Sequence, residues 1–98
     1  MRLSAEDVRS IVNTLSSYAA GIIYLHGSGV DDLARGGDID LFFVIDPARL
    51  EELVKNKYII AAELSLKLRE QRVDLVIIGS NQTSSHSFFN NSEKLLLN

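Results

Sequence analysis

Asp38-Ile39-Asp40-Leu41-Phe42-Phe43-Val44-Ile45 sets two carboxylates at the head of an apolar run rich in β-branched and aromatic residues. Such a run reads as a buried strand, and strand side chains alternate between faces, so Asp38 and Asp40 project side by side. Two like charges at that range raise each other's pKa unless something positive stands between them; a divalent cation resolves the conflict. Arg72-Val73-Asp74-Leu75-Val76-Ile77-Ile78-Gly79 repeats the anomaly: a third carboxylate lies one residue into another apolar strand, with Val73, Leu75 and Ile77 on one face and Asp74, Val76 and Ile78 on the other. If these strands are neighbours, Asp38, Asp40 and Asp74 converge. A lone aspartate at a strand start is usually a cap or an ion-pair partner, but the same feature on two buried strands makes coincidence the harder account. Three hard oxygen donors, with no cysteine and no paired histidines in the chain, favour Mg²⁺ or Mn²⁺ over zinc.

Working outward, Ile22-Ile23-Tyr24-Leu25 is a short strand closed by His26-Gly27-Ser28-Gly29, a turn whose free amides and hydroxyl suit an anion. Alone this turn is a weak signal; it gains weight by standing ten residues before Asp38. Residues 29 to 37 read as a loop. Upstream, Ser4 followed by Glu6 and Asp7 marks a helix start, and Val8, Ile11, Val12 and Leu15 recur at helical spacing towards an end near Tyr18 to Gly21. Downstream, Asp46-Pro47 opens a helix that runs to about Glu70, with a break near Asn56-Lys57 left open. Residues 79 to 87 are a polar surface loop, and the tail, from His86 to Asn98, reads as a short helix and a closing strand. His26 reads as locally packed, His86 carries no functional signal, and Tyr18, Tyr24, Phe42, Phe43 and Phe88 read as core or interface. These elements predict a small α+β (α/β) sandwich with helices packed on the sheet, residues 1–98 forming one domain.

Composition narrows the function classes. Ten Lys and Arg against thirteen Asp and Glu, net −3, exclude the broad basic field of a duplex-DNA binder. Hydrophobic residues at 46% imply a filled small core, or a core plus apolar surface left for association. The polar, acidic start and the lack of an apolar run near the roughly 18 residues of a membrane helix lead to the expectation of a cytoplasmic protein with no leader and no membrane contact.

Gly27-Ser28, a nine-residue spacer carrying Asp31-Asp32 and Arg35-Gly36-Gly37, then Asp38-Ile39-Asp40-Leu41, with Arg72-Val73-Asp74-Leu75-Val76 as the third part, resembles the minimal nucleotidyltransferases of the DNA polymerase-β superfamily. The resemblance covers nearly the whole chain. It implies the polymerase-β-like nucleotidyltransferase fold and transfer of a nucleoside monophosphate, AMP from ATP, to a hydroxyl of a protein or small molecule. By carry-over, two Mg²⁺ or Mn²⁺ ions sit on Asp38, Asp40 and Asp74, and Gly27 and Ser28 hold the β and γ phosphates; the family usually carries an arginine where this chain has Gly29, and Arg35 reads either as its substitute from the loop or as a solvated loop charge. The resemblance also implies a helical HEPN-type protein as partner, while a homodimer is the other way to cover apolar surface; tRNA is the one nucleic-acid acceptor left open. The alternative function is antitoxin-like binding of that helical partner with little or no catalysis.

Overall fold

The computed structural model of the chain describes residues 3–26 and 38–98. Ser4 opens the first helix, α1 (Ala5–Tyr18): its hydroxyl accepts from the Asp7 amide at 3.0 Å, while the Asp7 carboxylate accepts from the Ser4 amide at 3.1 Å. This capping box satisfies two amides that no helical carbonyl can reach. Asp46 starts α2 (Pro47–Lys55) by accepting from the Ala48 amide at 2.9 Å, with proline in the first turn where its missing N–H is not needed. The long helical stretch does break, at Asn56. That residue leaves helical geometry (φ −101°, ψ 11°), its side chain bonds the Glu52 carbonyl at 3.0 Å, and a separate α3 (Lys57–Lys67) follows.

Four strands form one mixed sheet: β1 (Gly21–His26), β2 (Ile39–Ile45), β3 (Val73–Gly79) and β4 (Lys94–Leu96), in the order β3-β2-β1-β4. β2 and β3 run parallel, joined by the α2–α3 crossover; β1 is antiparallel to both of its neighbours. Between β3 and β4 lie a 3-10 turn (Thr83–Ser85) and the short α4 (Ser87–Asn91), so the tail holds the helix and closing strand that its composition predicts.

Strand alternation divides the core in two. Ile23 and Leu25 of β1, Ile39, Leu41, Phe43 and Ile45 of β2, and Leu75 of β3 bury against Ile11, Leu15, Leu53, Ile60, Leu64 and Leu68 of the three longer helices. Among the described residues the opposite face is covered only in part: Phe42, Val44 and Ile78 pack with Phe89 of α4, with Tyr24 and Val76 at the margin. At about 25 cal/mol per Å² of apolar surface buried, the helix-covered layer supplies most of the hydrophobic stabilisation, leaving the other face free to carry polar groups. Among the described residues no helix is long and apolar enough to cross a membrane.

Candidate functional site

The parallel register pairs Asp40 with Asp74, Phe42 with Val76, and Val44 with Ile78, all on the face away from α1, α2 and α3. β1 enters from the other side. Tyr24 lies opposite Phe42 and Leu25 opposite Leu41, so one further step along the antiparallel ladder sets His26 beside Asp40. β4 completes the line, with His26 opposite Lys94. A transverse row therefore crosses the sheet as Asp74, Asp40, His26, Lys94. The two acids sit at the N-terminal ends of their strands because β2 and β3 both start one residue before them.

Among the described residues no cation is paired with Asp40 or Asp74. The carboxyl of Asp40 is raised above its ordinary value, first by burial, then by the charge of Asp74, then by that of Asp38. Asp38, just ahead of β2, forms a long ion pair with Arg72 at 3.7 Å, both side chains well exposed. Exposed pairs of this kind contribute little and hold neither partner firmly. Lys94, the cation of the row, is engaged elsewhere: its Nζ donates to the Phe89 carbonyl at 2.7 Å and the Ser92 carbonyl at 3.1 Å, and stands 4.5 Å from the Phe89 ring centroid. It ties α4 to β4 and caps the end of that short helix.

His26 is 5% exposed. Its ring stacks on Phe42 with centroids 3.9 Å apart and an interplanar angle of 21°, and it meets the edge of Phe88 at 5.4 Å. Burial pushes its pKa down, the charge of Asp74 opposes this, and Lys94 adds to it, so the imidazole is held neutral. Its buried Nε2 has no hydrogen-bond partner among the described residues. The expected local packing is present. Its membership of the acidic row is what sequence reasoning missed; the available signal was parity, since His26 and Tyr24 share the face opposite Ile23 and Leu25.

The donor chemistry fits a hard divalent cation: two carboxylates in register, one of them half-buried and strained by like charge, with a third two residues upstream. In the rotamers they hold, no three His, Asp or Glu side chains among the described residues close on a common metal position. Asp74 is exposed and Asp40 only half-buried, which leaves both carboxylates room to turn. Gly27, Ser28 and Arg35, the expected phosphate-binding group, lie outside the described residues. Comparison of the chain with profiles of known families, with curated proteins and with solved structures found no match in any of the three.

Proposed function

We propose that the chain is a metal-dependent nucleotidyltransferase with the polymerase-β-like fold, moving a nucleoside monophosphate from a triphosphate, ATP in the first instance, to a hydroxyl, with pyrophosphate leaving. The observation that carries this reading is the in-register Asp40–Asp74 pair on the open face of a mixed sheet, with Asp38 two residues upstream. Asp38, Asp40 and Asp74 would hold Mg²⁺ or Mn²⁺, and the bound ions supply charge neutralisation at the phosphoryl oxygens. Asp74, the more exposed of the pair, accepts the proton of the incoming hydroxyl. Gly27, Ser28 and Arg35 serve the β and γ phosphates, and among the described residues only the short α4 packs on the face that carries the acids.

The test is binding followed by transfer. A fluorescent ATP analogue is titrated in the presence of Mg²⁺, and α-labelled ATP is then offered with candidate hydroxyl acceptors. Asp40→Asn and Asp74→Asn are each expected to weaken Mg²⁺-dependent nucleotide binding by at least about 10-fold, since loss of groups even one shell from a metal costs 10- to 100-fold. They should also abolish label transfer. Equal binding and transfer in these variants would sink the reading.

A second reading, in which the chain acts chiefly by gripping a helical partner or a second copy, draws on one observation. α3 exposes Tyr58 (80%), Ile59 (65%) and Leu66 (73%) on a face distinct from the Ile60–Leu64–Leu68 stripe it buries. A helix that is apolar on two faces is typical of one that meets another surface.

A further inference from the structure

A buried polar atom left without a partner costs about 1–3 kcal/mol, and phenylalanine at the same position would keep the stacking without that cost. His26 meets this description: it is packed between Phe42 and Phe88 and carries an unpartnered Nε2 among the described residues. Its place in the sheet gives the atom a use. The adjacent member of the transverse row is Asp40, and the far one, Asp74, is still close enough to act on the ring electrostatically. Lys94, on the other side, has committed its donors to α4. A group whose plane is fixed by two aromatic rings has little rotational freedom to lose; Asp40, half-buried and without a charge-stabilising hydrogen bond among the described residues, is the partner free to turn.

Carboxylates that bind metals are themselves oriented by hydrogen-bond donors behind them. We propose that His26 is a positioning residue of the acidic site: its buried Nε2–H is held for the Asp40 carboxylate and clamps it in its cation-binding orientation. This rests on the reading of the row as a divalent-cation site, and adds that an imidazole of β1 completes the site from behind. The ring supplies a neutral donor rather than a ligand, so the site keeps its oxygen donors and its preference for hard cations.

The experiment is Mg²⁺ and Mn²⁺ titration by calorimetry on the wild type, Asp40→Asn, His26→Phe and His26→Gln, with melting temperatures of the metal-free proteins. His26→Phe keeps the stacking ring and removes the donor, and is expected to match or exceed the wild-type melting temperature while its metal affinity falls about 10- to 100-fold. Glutamine, whose amide nitrogen reaches to where Nε2 stands, is expected to retain most of the affinity. A ¹⁵N spectrum of the wild-type imidazole gives a readout independent of any variant: saturating Mg²⁺ should shift the Nε2–H resonance and slow its exchange. Unchanged affinity in His26→Phe, or a ring spectrum indifferent to Mg²⁺, overturns the clamp. If the wild type takes up no metal, or Asp40→Asn takes up as much as the wild type, the cation reading itself fails and the clamp with it.

Discussion

Two carboxylates of this chain show opposite fates. Asp7 is buried, yet its pKa is held below the ordinary value, chiefly by the Arg69 guanidinium, which reaches both of its oxygens at 3.0 Å, and further by Ser4. Asp40 is pushed the other way by burial and by the charges of Asp74 and Asp38. The first acid is structural, the second is waiting for a charge. Their contributions to stability consequently have opposite signs. A depressed folded pKa means that Asp7 stabilises the fold above its unfolded value, and the contribution is lost as pH falls through the folded one; for Asp40, with a raised value, the favourable window lies in acid and closes as pH rises through the folded pKa. Asp7→Asn is therefore expected to lower the urea midpoint at neutral pH, and the gap to the wild type should vanish in acid below the depressed pKa. Urea melts at the two pH values check this; an equal gap at both would show that the Asp7–Arg69 pair does not act through charge.

At the scale of the elements, β1 leaves no room for a side chain against β2 at Gly21. A Cβ there would stand 2.5 Å from the Val44 carbonyl oxygen and 2.7 Å from the Phe43 ring, against backbone and a buried ring that cannot yield cheaply. Gly21→Ala is expected to destabilise the protein by about 1–3 kcal/mol, the usual penalty of overpacking, read as a lowered thermal midpoint. β1, β2 and β3 were legible in the sequence because each is an apolar run bounded by turn residues, and the two faces of β3 followed from alternation alone. The caps at Ser4 and Asp46 were legible from residue type. Other features depend on partners distant in the chain. Asn56 is compatible with a helix by composition, and only its bond to Glu52 and the packing of α2 and α3 on the sheet turn it into a break. β4 has three residues and owes its ladder to β1, helped by Asn98, whose side chain bonds the Ile23 amide at 2.9 Å and the Gly21 carbonyl at 2.8 Å. The candidate site was half legible for the same reason: the acids announce themselves locally, but their alignment, and the arrival of His26 beside them, is set by strand register.

At the scale of the whole molecule, the sheet is asymmetric among the described residues, with three helices on one face and one short helix on the other. β2 is hydrogen-bonded on both sides and nearly all of its side chains are buried, whereas β4 is a short edge beside exposed Leu95 and Leu96. Local opening requires few contacts to be lost at β4 and the entire core at β2. Native-state hydrogen exchange should therefore find the Phe43 amide opening only with global unfolding and the Leu96 amide opening well below it; equal protection would show that α4 and β4 belong to the same cooperative unit as the helix-covered layer. The pairing of Asp40 with Asp74 also bears on folding. A one-residue slip of β3 along β2 would turn Asp74 into the oily layer beneath α2 and α3 and bring Val73, Leu75 and Ile77 out to water. Immersing an unpaired anion there is prohibitive, so the acids act as sentries against mis-threading, and a chain that threads correctly has, by that act alone, assembled the two anions for any ion they are to receive.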